Sequence, residues 1–207
     1  MDKQESKQAK DTEQLILEAA ITEFSTKGFD GARTSTIAAN AGVTHAMLHY
    51  YFRTKEKLFE RIFKDKIRYI FNMVLAPMVD GSGSITHRIR IGIEKHFDFL
   101  LANKELPIFF ITTINSRPEA YQEVIGEFST TAHDRICALQ KELDKAYVNG
   151  EISKIRADQL IGDIASLNVF PFLAYPMLMA ATGHNDYDSY MEMRKKEIVE
   201  IIMKRIS

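Results

Sequence analysis

Apolar residues recur three and four positions apart along nearly the whole chain, which is the period of an amphipathic α-helix. The first such segment runs through Leu15, Ile16, Ala20 and Phe24. No alternating apolar and polar run bounded by hairpin turns occurs, so the pattern predicts no sheet. The predicted fold class is therefore all-α.

The N-terminal part is predicted to hold four helices separated by turn and cap residues. Gly28 ends the first helix, and Gly42 permits a sharp reversal after the second. Thr44 and Thr54 stand where the third and fourth helices need N-caps. The apolar positions of this part that we assign to its core are Ile37, Ala41, Leu48 and Phe52.

A proline and a glycine-serine run interrupt the helical pattern near residue 80. They are Pro77 and the sequence Asp80-Gly81-Ser82-Gly83-Ser84, the clearest linker in the chain. The fourth helix is long enough to end beyond the first module, so we place the domain boundary near residue 70. The predicted domains are residues 10–70 and 71–207, and the helices predicted after the linker are 85–102, 106–116, 118–150, 155–183 and 187–206.

The charge of the whole chain does not indicate nucleic acid, but its distribution is uneven. The 207 residues include 27 Lys and Arg against 28 Asp and Glu, a net charge of -1. Residues 1–70 hold 12 basic against 10 acidic residues (+2), which leaves 15 against 18 (−3) for the rest. Between Arg33 and Lys57 only Glu56 opposes four basic side chains, so the positive charge falls on the stretch that holds the second and third helices and flanks them on both sides.

Several classes of protein are disfavoured by what the sequence lacks. A single cysteine, Cys137, cannot form an intramolecular disulfide, and no phosphate-binding glycine loop or nucleophile elbow is present. The N-terminus has no apolar run of a signal peptide, and no unbroken apolar segment reaches the ~18 residues of a membrane span. We expect a cytoplasmic protein that is not an enzyme and needs no cofactor or metal.

Two short helices joined at Gly42 have the form of a helix-turn-helix, whose second helix enters the major groove of DNA. Thr44 and His45 lie at the amino end of that helix, where side chains and free N–H groups can meet phosphates or bases. Met47 can contact a thymine methyl group, and His49 and Tyr50 can reach phosphates or base edges. Arg33, Thr34 and Lys55 flank this helix and are predicted to bind backbone phosphates.

The same stretch resembles the TetR family of bacterial transcriptional regulators. The similarity rests on Ile37-Ala38, Ala41-Gly42-Val43, Tyr51-Phe52 and the Lys55-Glu56-x-Leu58-Phe59 start of the fourth helix. The resemblance implies DNA contacts at Thr34, Thr44, His45, Ala46, Met47, His49, Tyr50 and Lys55. The family commonly has Lys-Gly in place of His45-Ala46 and Tyr in place of His49, so the phosphate contacts of this chain are expected to differ.

Two other interpretations of this stretch remain open. His45 and His49 are four residues apart on one helix face, a spacing that also suits a metal pair, but no third ligand lies nearby in the sequence. Arg53, Lys55 and Lys57 could form a solvated charge cluster with no partner. The helix-turn-helix pattern beside them favours DNA over both.

The C-terminal part is rich in aromatic residues and methionine, which suit either a helical core or an apolar cavity. The resemblance implies a pocket for a hydrophobic small-molecule effector and a homodimer formed by the last two helices. The pocket residues we predict are Phe97, Phe110, Thr113, Phe128, Phe170 and Tyr175. The stripes predicted to form the interface are Ile161, Ile164, Ala165, Leu167 and Asn168 on one helix and Ile198, Ile201, Ile202 and Met203 on the other.

Together these features predict a homodimeric regulator, typically a repressor, that binds a double-stranded palindromic operator and is released by a hydrophobic ligand. The alternative is a protein that binds or sequesters a small molecule and carries a vestigial DNA module.

Overall fold

A computed structural model describes residues 2–116, 118–183 and 186–207, and in these ranges the regular structure is helical without a strand. The helices are α1 (Asp2–Gly31), α2 (Thr34–Asn40), α3 (His45–Phe52), α4 (Lys55–Ile70), a π-helical turn (Phe71–Leu75), α5 (Ala76–Asp80), α6 (Ile85–Ala102), α7 (Leu106–Ser116), α8 (Pro118–Val148), α9 (Ala157–Thr182) and α10 (Tyr187–Ile206). The all-α prediction is confirmed.

The chain divides into two compact units. Unit 1 comprises Met1–Ile67 and Ile108–Gly126, and unit 2 comprises Arg68–Pro107 and Glu127–Ser207. The division after Ile67 lies close to the boundary expected near residue 70. The sequence pattern does not predict that residues 108–126 pack with the N-terminal helices, because these contacts join positions far apart in the chain.

An aromatic cluster forms the centre of unit 1. The ring of Phe59 lies edge-on to Phe24 at a centroid distance of 5.2 Å and 5.3 Å from Phe109. Phe63 makes an edge contact with Phe110 at 5.1 Å. Aromatic pairs of this geometry stabilise by about 0.5–1.5 kcal/mol beyond the burial of their area. This cluster explains why residues 108–126 belong to unit 1.

The turn between α2 and α3 has the geometry that the sequence predicts. Gly42 has a φ of +68°, a conformation that disfavours other residues, and the Val43 N–H donates to the Ala38 carbonyl at 3.0 Å. Gly28 likewise has a φ of +67° and interrupts α1 three residues before its end. The predicted core residues Ile37, Ala41, Leu48 and Phe52 are all buried.

Unit 2 is built around α6, whose buried face meets α9 and α10. The buried apolar residues of this core come from α5, α6, α8, α9 and α10 and include Met78, Ile89, Ile93, Phe97, Leu139, Leu160, Ile164, Ile198 and Ile202. Ser84 caps α6 by accepting a hydrogen bond from the His87 N–H at 3.3 Å. The predicted linker is thus the loop that ends α5 and starts α6.

Helix α9 is more apolar and more continuous than expected. It runs through Pro171 and Pro176, and by length and composition it could span a membrane, although only 22% of its most apolar stretch is buried. The sequence prediction of no membrane span rests on the lack of an unbroken apolar run, and the two prolines interrupt the run in α9. One helix of this length and composition is weak evidence for a membrane span, because core helices of soluble proteins meet the same criteria.

Candidate nucleic-acid interface

Helix α3 separates its buried and exposed residues cleanly. Leu48 and Phe52 face the core, with 1% and 5% of their surfaces exposed. The opposite side carries the predicted contact residues of this helix, which are all exposed: His45, Ala46, Met47, His49 and Tyr50. Tyr50 is 74% exposed, an unusual state for a large aromatic side chain. The helix therefore presents a surface available to a partner.

Thr44 caps the amino end of α3. Its hydroxyl oxygen accepts a hydrogen bond from the Met47 N–H at 3.1 Å, which confirms the predicted N-cap. The hydroxyl hydrogen is still available to an acceptor outside the helix. In the same way the Thr54 hydroxyl accepts from the Lys57 N–H at 3.2 Å and starts α4. These caps fix where α3 begins and where the following turn ends.

A concavity in unit 1 runs between the start of α2, the exposed side of α3 and the start of α4. Its lining residues are Ala32, Arg33, Thr34, Ser35, His45, His49, Arg53, Thr54 and Lys55. Three are permanent cations, three carry hydroxyls, two are imidazoles and none is a carboxylate. This set of donors and charges suits an anion such as a phosphate.

Lys55 has a structural role that its position in the sequence does not reveal. Its ammonium group donates to the carbonyls of Phe29 at 2.9 Å and Ala32 at 3.2 Å, and it lies 4.4 Å from the centre of the Phe29 ring. Lys55 therefore ties the start of α4 to the end of α1. An ammonium has three donors, so one remains for a phosphate.

The two imidazoles of α3 lie next to each other. The Nε2 atom of His45 is 3.0 Å from the Thr34 hydroxyl, a contact that joins α2 to α3. The ring of His49 lies edge-on to that of His45 at a centroid distance of 5.3 Å. Among the residues described, no group of three or more His, Cys, Asp or Glu side chains could hold a metal ion.

Arg53 belongs to this surface but was absent from the predicted contacts. It is exposed and has a φ of +61°, and it is the one non-glycine residue described with a positive φ. Such a conformation costs about 1–3 kcal/mol and persists where the surrounding structure or the function requires it. Its basic side chain directly after α3 was the signal that could have identified it. Arg33, at the N-cap of α2, is also exposed.

The predicted ligand residues occupy different surroundings in the two units. In unit 1, Phe110 packs on Phe63, and the buried Thr113 donates its hydroxyl to the Phe109 carbonyl at 2.7 Å. In unit 2, the fully buried Phe97 lies 5.2 Å from Phe172.

The other three predicted ligand residues are all in unit 2. Phe128 lies beside the guanidinium of Arg68, and Tyr175 packs on Tyr187 at 4.6 Å. Phe170 is 55% exposed. The concavities described in the structure are not lined by any of the six residues, so their role stays a prediction.

A buried polar pair in unit 2 was not singled out as a pair by the sequence. Asn168 is fully buried, and its side-chain amide donates to the Ile93 carbonyl at 3.0 Å and lies 3.2 Å from Nδ1 of His96. Burial lowers the pKa of His96 to about 4, so this imidazole is neutral near pH 7. The pair links α6 to α9 inside the core.

The predicted interface stripes on α9 and α10 are partly wrong. Four of their residues lie inside the core of unit 2 and cannot contact a second chain: Ile164, Asn168, Ile198 and Ile202. A 3.6-residue period identifies an apolar face but not the neighbour that covers it. Ile201 of the predicted stripe is exposed, and other large exposed apolar side chains lie on the same helices at Phe170, Met177 and Met193.

Fold and surface together define a helix-turn-helix DNA-binding protein. Residues 16–62 match the family model of the bacterial regulatory proteins of the tetR family. Residues 16–62 therefore carry a DNA-binding module of the tetR type, and these matches support a TetR-family transcriptional regulator rather than an enzyme.

Known regulators resemble the chain beyond this module. The IcaR negative regulator of the biofilm operon icaADBC in Staphylococcus aureus is 27% identical over 143 residues, which are 69% of this chain and 73% of that protein. SCO4942 from Streptomyces coelicolor has a TM-score of 0.66 and 18% identity over 94% of this chain and 98% of its own. FadR from Bacillus subtilis, solved with stearoyl-CoA, has a TM-score of 0.64 and 20% identity over 94% and 99%. These two structures support the shared fold.

Proposed function

We propose that the chain is a homodimeric repressor that binds a palindromic operator through α3 and is released by a hydrophobic small molecule. The observation that carries this proposal is the exposed face of α3 beside a concavity that holds cations and hydroxyls without a carboxylate. Because operators are part of the bacterial chromosome, the protein would act in the cytoplasm.

The proposed DNA contacts divide into two kinds. Thr44, Ala46, Met47 and Tyr50 lie along the exposed side of α3, where they can meet base edges, thymine methyl groups or the nearby backbone. The residues around the concavity would bind phosphates, which fix the position of the helix without reading sequence: Arg33, Thr34, His45, His49, Arg53 and Lys55. Arg53 is our addition to the contacts that the sequence predicts.

The proposed dimer uses the outer faces of α9 and α10. Phe170 and Met177 on α9, and Met193 and Ile201 on α10, are between 44% and 64% exposed. Exposed apolar side chains of this size on two adjacent helices favour association with a second copy. A dimer would place two α3 helices on one duplex, as a palindromic operator requires.

The proposed effector is apolar and binds in the C-terminal part of the chain. The four predicted pocket residues of unit 2 are all aromatic, a composition that suits an apolar ligand: Phe97, Phe128, Phe170 and Tyr175. The structural relative FadR was solved with stearoyl-CoA, whose acyl chain belongs to this class. A ligand that binds more tightly to the conformation that does not fit the operator shifts the population toward that conformation, and operator affinity falls as a result.

A gel-shift experiment with DNA from upstream of the protein's own gene tests this proposal. We expect the protein to bind that duplex far more tightly than a scrambled duplex of equal length. A long-chain acyl-CoA and its free thiol carrier, coenzyme A, then serve as effector probe and control. Release of the duplex by the acyl-CoA alone would support the hydrophobic effector.

The second candidate is a protein that binds or sequesters a small molecule with a vestigial DNA module. The departures from the family pattern at His45 and His49 favour it, because the recognition helix of this chain has no lysine or arginine. Tight ligand binding together with no preference for upstream DNA would support this candidate and refute the repressor.

A further inference from the structure

The charge of the proposed recognition helix depends on two histidines. Helix α3 reads HAMLHYYF and contains no lysine, arginine, aspartate or glutamate. Histidine is the side chain that ordinarily changes charge between pH 5 and 8. The two histidines are therefore the residues of α3 whose protonation can add positive charge to the helix.

Both imidazoles are placed where a DNA phosphate would act on them. They are exposed and line the concavity between α2, α3 and α4. His45 reaches the Thr34 hydroxyl at 3.0 Å, and His49 stacks edge-on against His45 at 5.3 Å. A phosphate that enters the concavity would lie beside both rings.

The charged neighbours of the two rings come from each element that borders the concavity. They are Arg33 at the start of α2, and Arg53 and Lys55 around the start of α4, while Tyr50 is the exposed titratable neighbour on α3 itself. The buried carboxylate of Glu23, on α1, accepts a hydrogen bond from the Arg33 backbone N–H at 3.2 Å. A phosphate bound in the concavity would place negative charge beside both rings, and negative charge favours the protonated form of an imidazole.

We infer that His45 and His49 take up protons when the protein binds DNA, so that operator affinity rises as the pH falls. This inference rests on the proposed function, because it requires that the concavity receives a DNA phosphate. The sign follows from linkage: the bound state holds more protons than the free state, so lower pH favours binding. For one imidazole the affinity changes by at most about tenfold per pH unit, and for two by at most about a hundredfold.

A metal ion bound by the same two histidines is a different explanation for a special role of these residues. Three cations line the concavity, and a divalent metal would add to their mutual repulsion. Protonation of the two imidazoles, by contrast, is favoured when an anion such as a phosphate occupies the concavity. Including a chelator in every buffer separates the two explanations.

The test is the affinity of the full-length protein for the upstream duplex between pH 5.5 and 8.5, at fixed ionic strength and with EDTA. Fluorescence anisotropy gives Kd, and calorimetry in two buffers of different ionisation enthalpy counts the protons taken up. The test variant is His45→Gln/His49→Gln, which keeps a polar side chain but cannot be protonated. The matched control is His87→Gln, at an exposed histidine of α6 in unit 2.

For the wild type and the control we expect Kd to fall at least fivefold for each unit by which the pH is lowered, in the steepest part of the range. Binding should be accompanied by net proton uptake. For the double variant we expect weaker binding that is nearly independent of pH and takes up no protons. Equal pH dependence in wild type and double variant would overturn the inference while DNA binding itself stands. No preference for the upstream duplex at any pH would overturn the proposed function and the inference with it.

Discussion

Replacing Lys55 with methionine removes a contact that holds the DNA-binding unit together. Methionine keeps an unbranched side chain of similar length but lacks the ammonium that donates to the carbonyls of Phe29 and Ala32. A hydrogen bond to a charged group contributes about 1.5–3 kcal/mol. Lys55 is half-buried, so water can replace part of each bond, and we expect a total loss of about 1–2 kcal/mol.

Lys57→Met is the matched control for stability. Lys57 is exposed, and the hydrogen bond that involves it uses its backbone N–H, which the substitution leaves in place. Urea unfolding followed by circular dichroism should show a lower midpoint for Lys55→Met and no change for Lys57→Met. Equal midpoints for the two variants would refute the structural role of Lys55.

The third N–H donor of the Lys55 ammonium, which we propose binds a DNA phosphate, gives a second prediction about the salt dependence of DNA binding. Each phosphate contact contributes about 0.9 to the slope of log affinity against log salt concentration. Lys55→Met should therefore reduce that slope by about one and weaken binding to specific and scrambled duplexes alike, measured at a temperature where the variant is fully folded. An unchanged slope would restrict Lys55 to its structural role.

Three further predictions follow from single residues. Because the pKa of His96 is lowered to about 4, the unfolded chain binds a proton there before the folded chain does, so stability should fall by about 3 kcal/mol as the pH drops from about 6.5 to 4. In pH-dependent urea unfolding, His96→Gln should lose most of that dependence. Met177→Glu should shift the protein from dimer to monomer in analytical ultracentrifugation, whereas Val148→Glu, at an exposed residue of α8, should not. Arg53→Gly should raise the midpoint of urea unfolding, because glycine adopts a φ of +61° without strain, a gain of about 1 kcal/mol in the free energy of unfolding. The same variant should reduce the slope of log affinity for DNA against log salt concentration by about one.

The helices themselves were predictable because their signals are local. The bounds of α6, α7 and α10 agree with the apolar period and with the glycines, prolines and polar residues between the helices. The helix-turn-helix was predictable for the same reason. Gly42 and Thr44 act within a few residues of where they stand, so their sequence positions already define the turn and the cap.

Contacts between distant segments were not predictable in this way. The carbonyls that bind Lys55 lie 26 and 23 residues before it, and no local pattern indicates that they converge on its ammonium. Asn168 stands in an apolar stripe that resembles an interface, yet the structure buries it beside His96. Periodicity shows that a helix has an apolar face, while the packing of the other helices decides what covers that face.

The conformation of Arg53 was hidden for a different reason. Arginine is an ordinary residue at the end of a helix, and its positive φ becomes visible only in the backbone. A glycine there would have indicated the turn from sequence alone.

Footprinting of the upstream DNA tests the central claim, that α3 reads an operator, most directly. We predict one protected palindrome whose half-sites are separated by about 10–10.5 base pairs or a multiple of that spacing, and loss of this protection in Tyr50→Ala while the variant still sediments as the wild type does. Absence of a protected site with folded, dimeric wild-type protein would contradict the account. Unchanged protection in Tyr50→Ala would show that its aromatic ring is not part of the DNA-reading surface.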